Sequence, residues 1–156
     1  MTGHSITVSG TIAAPRERVW HVITDIANAP TTIPSITAVT LLNDQPYGPG
    51  SSWRETRTML GRTETHEMTV TESDPPRRTV VTAVTDGVLY TTTMTLEDGD
   101  EGEGTLLSIT FGADQADASR AARFLWTVMG PLGKVFTRKM LTVELDEIRE
   151  AATRSQ

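Results

Sequence analysis

A chain of 156 residues with a formal net charge of −6 is long enough for one domain with a substantial core, and it reads as a single domain over 1–156. Its 37% hydrophobic and 22% charged content is that of a globular protein rather than a disordered one. The absence of cysteine excludes disulfides, thiolate metal sites and cysteine nucleophiles, and the acidic balance argues against a nucleic-acid surface, which needs a basic face.

No apolar run approaches the ~20 residues of a membrane-spanning helix. The start Met1-Thr2-Gly3-His4-Ser5 lacks the basic flank and apolar centre of a secretory signal. The expectation is a cytoplasmic protein with no membrane span.

Ile6, Val8 and Ile12 alternate with Ser5, Thr7, Ser9 and Thr11, which predicts a first strand over 5–12 with one apolar face. Pro15 then opens a helical segment at a favoured first-turn position. Val19, Trp20, Ile23, Ile26 and Ala27 recur at helical spacing until Pro30 and Pro34 interrupt them, leaving room only for a further short helix or turn. A second strand fits 36–42. It ends at the turn-rich Asn43-Asp44-Gln45-Pro46-Tyr47-Gly48-Pro49-Gly50.

From 51 to about 112 the chain reads as a meander of strands over 51–60, 63–73, 78–85, 88–97 and 104–112. Gly61-Arg62 places glycine first in a two-residue turn, the type II′ preference, and Asp86-Gly87 is a type I′ signal. Asp74-Pro75-Pro76 and the acidic run Glu97-Asp98-Gly99-Asp100-Glu101-Gly102-Glu103 supply the other turns, the latter as a solvated loop. After Asp117 the pattern turns helical. Phe124, Leu125, Val128, Met129, Leu132, Val135, Phe136, Met140, Leu141, Val143, Leu145 and Ile148 mark an apolar face, and Pro131 breaks or restarts the helix.

Strand, two short helices, six strands and a long helix make an α+β chain. A seven-stranded antiparallel sheet wrapped around a C-terminal helix is the helix-grip arrangement. The segments Ile12-Ala13-Ala14-Pro15-Arg16-Glu17-Arg18-Val19-Trp20, Ile23-Thr24-Asp25, Gly50-Ser51-Ser52-Trp53-Arg54-Glu55-Thr56-Arg57 and Gly104-Thr105-Leu106-Leu107 resemble the START and birch-pollen-allergen superfamily (SRPBCC), in particular its bacterial polyketide cyclase/dehydrase and lipid-transport branch. The resemblance runs over about residues 5 to 150. It implies a helix-grip fold with an apolar cavity between sheet and C-terminal helix. The superfamily includes carriers, receptors, cyclases and hydrolases, so the fold does not choose the activity.

Motifs for other chemistry are missing. His4, His21 and His66 fall in separate elements with no second histidine at close spacing, so no metal site is expected. Asp98-x-Asp100-x-Gly102 lacks the glutamate of a calcium loop, having Ile109 there instead. There is no Gly-x-Ser-x-Gly elbow and no phosphate loop. No cofactor is expected.

One polar constellation remains. A Gly61-Arg62 turn pairs Leu60 with Thr63, and sets Trp53 opposite Val70, Glu55 opposite Met68 and Arg57 opposite His66, all on one face. With Trp53, Met59, Met68 and Val70 on it, this face reads as buried, and a buried charge must be paired or solvated. Exposed charges at the far end of the hairpin, a structural ion pair and a ligand-contacting cluster are the three readings. The second hairpin puts Tyr90, Thr92, Met94 and Leu96 on one face and Val80, Val84 and Leu89 on the other, and Tyr90 anchors the core or points at a ligand. Met129, Leu132, Phe136 and Met140 line the helix, as core or as the closing face of a cavity.

Three functions follow as expectations. One is a binding protein for a hydrophobic or aromatic small molecule, lipid or polyketide-like. Another is a cyclase or dehydratase in the same cavity, with Arg57 polarising a carbonyl and His66 or Glu55 moving a proton. The third is a partner protein that binds another chain. The residues do not decide between enzyme and carrier, nor between monomer and homodimer.

Overall fold

The computed structural model describes residues 4–85, 87–99, 103–115 and 131–154. Strand β1 (His4–Ile12) leads into helix α1 (Arg16–Thr24), a short 3-10 turn (Ile26–Asn28) and helix α2 (Ala29–Thr32). Strands β2 (Ile36–Leu41), β3 (Ser52–Met59), β4 (Arg62–Asp74), β5 (Arg78–Thr85), β6 (Val88–Asp98) and β7 (Thr105–Gln115) follow, and then helix α3 (Pro131–Thr153). The seven strands form one antiparallel sheet in the order β1-β7-β6-β5-β4-β3-β2. This is the helix-grip fold.

Local chemistry accounts for the element boundaries. Pro15 stands one position ahead of α1 in extended conformation, a correction to its expected place inside the first turn. Pro30 sits in the first turn of α2, where a missing N–H costs nothing. The described part of helix α3 opens at Pro131. The expected helical stretch before Pro131 lies outside the described residues.

The β3–β4 hairpin corrects the expected register. Its two-residue turn is Leu60-Gly61, not Gly61-Arg62, and both residues have positive φ (53° and 80°), as a type I′ turn requires. Trp53 therefore stands opposite Met68, Glu55 opposite His66 and Arg57 opposite Glu64. The displacement is two residues, and a strand repeats every two. The expected face is thus kept while every expected cross-strand partner is replaced. The β5–β6 hairpin pairs Ala83 with Tyr90, Val81 with Thr92 and Thr79 with Met94, the register that Asp86-Gly87 dictates.

The core fills one half of the grip. Leu141, Leu145, Ile148 and Ala152 of α3 are buried against Ile6, Val8 and Ile12 of β1 and Leu107 and Ile109 of β7. Each large side chain so buried contributes about 1.5–3 kcal/mol. Gly10 lets the helix approach β1 here, because an added Cβ would lie 2.6 Å from Arg149 Nη2 and 2.9 Å from Leu145 Cδ2. Over β3–β6 the helix and sheet do not close on each other, and a pocket is left between them. Among the described residues no helix is long and apolar enough to cross a membrane.

Candidate functional site

The pocket has a volume of about 860 Å³. Strand alternation sends every second side chain of β3, β4, β5 and β6 into it, and α3 covers it with residues at three- and four-residue spacing. Helix α1 and the turn after it close one side with Val22, Ile23 and Ile26.

Ten of the candidate residues meet there. Trp53, Glu55 and Arg57 project from β3, and His66 and Met68 from β4. Tyr90, Thr92 and Met94 come from β6, and Phe136 and Met140 from α3. Tyr90 stacks on Phe111 of β7 with ring centroids 5.4 Å apart. Met129 and the side chain of Leu132 lie outside the described residues.

The polar centre is built on Arg57. Its Nε and Nη2 donate to Glu55 Oε2 at 3.1 and 2.9 Å, and its Nη1 lies 3.4 Å from Glu144 Oε2 on α3. Trp53 Nε1 donates to Glu55 Oε1 at 3.2 Å. The three charged side chains are only 12–23% exposed. Two carboxylates thus share one guanidinium in a poorly hydrated place. Burial works against the Arg57 charge, but Glu144 and Glu55 outweigh it and hold its pKa above the ordinary arginine value. Burial also pushes the Glu144 carboxyl above the usual carboxylate range. Arg57 offsets this in part, while Glu55 and Glu147 add to it.

His66 belongs to a separate group at the rim, which corrects its expected place beside Arg57. Its Nε2 lies 3.0 Å from Glu64 Oε1 and its Nδ1 3.1 Å from Thr85 Oγ1. With Nε2–H donating to Glu64, the neutral ring accepts from the Thr85 hydroxyl. Glu64 also pairs with Arg62 at 3.1 Å, and Arg62 stands over the Phe136 ring, 5.3 Å from its centroid. The rim is therefore tied to α3 by a cation–π contact.

Glu144 and Tyr47 are among the site residues that sequence reasoning missed. Glu144 follows Met140 by four positions, so helical spacing alone places it on the pocket face; its charge hid it in an apolar stripe. Tyr47 sits in a loop that its neighbours mark only as turn. Its ring lies edge-on to Trp20 at 6.3 Å and tilted on Trp53 at 6.2 Å. Its hydroxyl donates to Thr79 Oγ1 at 2.7 Å, and Thr79 donates onward to the Glu72 carbonyl. Burial raises the Tyr47 pKa. No group of three or more His, Asp or Glu among the described residues is placed to hold a metal ion.

Fold and pocket define a helix-grip protein. The chain belongs to the polyketide cyclase / dehydrase and lipid transport family, whose model matches residues 3–152. Similar solved structures include a START superfamily protein from Mycobacterium smegmatis, with a TM-score of 0.74 at 15% identity, covering 96% of this chain and 97% of that one. TTHA0849 from Thermus thermophilus gives 0.72 at 16% identity, with 96% and 97% coverage. The di-domain ARO/CYC BexL from the BE-7585A biosynthetic pathway gives 0.69 at 17% identity, and the match spans 99% of this chain but 51% of that protein. At these identities the likeness is one of fold. No curated protein sequence matches this one closely enough to indicate a relationship.

Proposed function

We propose that this protein binds a hydrophobic or aromatic small molecule, lipid or polyketide-like, between the sheet and α3. The observation that carries the reading is the pocket itself. Its volume of about 860 Å³ falls within the ~300–1,000 Å³ of small-molecule sites. Apolar and aromatic walls surround a small set of fixed polar groups, the composition that buries a ligand and orients one end of it. Methionines at 59, 68, 94 and 140 line it, and their flexible thioethers fit irregular apolar shapes. The family, which joins cyclases and lipid carriers, supports the same reading. Native mass spectrometry of the gently purified protein tests it. A co-purified small molecule lost on organic extraction is the expected result, and an apo protein that takes up no apolar compound afterwards contradicts it.

A cyclase or dehydratase in the same pocket is the second reading, favoured by Glu144. Burial raises the pKa of the Glu144 carboxyl, the direction that suits a general acid facing a carbonyl or leaving hydroxyl oxygen. Arg57 keeps its charge beside it and can orient the same oxygen. Turnover of a poly-β-ketone thioester analogue, lost in Glu144→Gln with ligand binding retained, separates enzyme from carrier.

A further inference from the structure

We propose that the pocket selects a ligand carrying a protonated amine on its apolar body, and that Glu144 is the residue that selects it. The inference rests on the reading that the pocket takes an apolar small molecule, and it adds the charge of that molecule's polar end.

Arg57 is the cation at the centre of the pocket. All three guanidinium nitrogens already face carboxylate oxygens, two on Glu55 and one on Glu144. A carboxylate or phosphate ligand could reach only the second N–H groups left on Nη1 and Nη2, and it would sit there beside the Glu55 and Glu144 carboxylates. Like charges at such range are strongly unfavourable where water is scarce. The usual expectation, that a buried arginine marks an anion site, therefore fails here.

Glu144 has the opposite character. One of its oxygens is directed to Arg57. Among the described residues no hydrogen bond donor is placed on the other oxygen, Oε1, and the side chain lines the pocket. No side-chain oxygen or nitrogen among the described residues is both fully enclosed and unpartnered, so Oε1 opens into the pocket space. Glu147 stands behind it, holding the Ser35 hydroxyl at 2.6 Å and the Ser35 backbone N–H at 3.1 Å, and adds negative potential. An ammonium group at Oε1 would fill the open acceptor and balance the second carboxylate.

A matched trio of bicyclic aromatics tests this: naphthylethylamine, naphthylethanol and naphthylacetate, each titrated by calorimetry into the full chain. The amine should bind about tenfold or more tightly than the carboxylate, with the alcohol between them. Glu144→Gln should weaken the amine about tenfold and leave the alcohol unchanged. Glu150→Gln, on the exposed side of α3, removes the same net charge and should change none of the three. Equal or tighter binding of the carboxylate by the wild type overturns the proposal, and this comparison needs no variant. Equal weakening of the amine by both variants also overturns it, because net charge would then be the cause. If none of the three binds saturably, the pocket reading itself falls, and the proposal with it.

Discussion

Glu144 on α3 faces Arg57 on β3 with 3.4 Å between Oε2 and Nη1. This contact joins the gripping sheet to the gripped helix through charge, on the side where the apolar core does not reach. Its energetics can be read by removing either partner.

Arg57→Ala leaves Glu55 and Glu144 together without a cation. Breaking a buried ion pair by removing one side leaves the other charge uncompensated, and beside a pocket that water can enter the cost should be about 2–3 kcal/mol. Arg57→Lys should recover only part of this, since an ammonium cannot engage Glu55 and Glu144 through three nitrogens at once. Urea denaturation of the two variants measures both. Equal stability of Arg57→Ala and wild type would show that the cluster is solvated.

Removing Glu144 should act through pH. Burial holds its folded-state carboxyl above the ordinary 4.5, so between those two values the folded chain binds more protons than the unfolded one. The stability linked to this group is full below about pH 4.5 and is lost as pH rises through the folded pKa. Glu144→Gln has no such loss. The variant should therefore gain on wild type as pH goes from about 4 to about 7, read as urea midpoints across that range. A stability difference independent of pH would contradict the raised pKa.

Leu60 occupies a left-handed position (φ 53°) in a turn that favours Asn-Gly. A residue with a bulky Cβ substituent is destabilised there by about 1 kcal/mol. Leu60→Asn should raise stability by about that amount and remove an exposed leucine (39%). A loss of stability in thermal unfolding would mean that Leu60 packs on something at the rim.

The same turn shows where the sequence was legible and where it was not. Strand faces follow from alternation, and Trp53, Glu55, Arg57, His66 and Met68 share one face in either register. Register follows from the turn, and glycine's usual place first in a II′ turn pointed to Gly61-Arg62. A leucine in the left-handed region is unfavourable, so no local rule selects Leu60-Gly61. That single turn replaced the expected Arg57–His66 neighbours with Arg57–Glu64 and Glu55–His66 pairs. The contact of Arg57 with Glu144 joins residues 87 positions apart, so local patterning holds no signal for it. Tyr47 was hidden in the same way, because its partners Trp20, Trp53 and Thr79 come from three other elements.

Tryptophan emission distinguishes the pocket from the rest of the molecule. Trp53 lines the pocket and donates to Glu55, whereas Trp20 meets Tyr47 from the α1 side. Saturation with naphthylethanol should change the emission of wild type and of Trp20→Phe, and the change should be largely lost in Trp53→Phe. The reverse pattern would place the ligand on α1 rather than in the grip.

The most direct test of a ligand-binding pocket uses its methionines as reporters. Met59, Met68, Met94 and Met140 line it from three strands and the helix. Methyl NMR of the methionine-labelled protein, titrated with naphthylethanol, should show saturable shifts at Met68, Met94 and Met140 that fit one common binding constant. Methionine methyls that stay still, or that drift linearly without saturating, would contradict the claim that an apolar molecule binds between the sheet and α3.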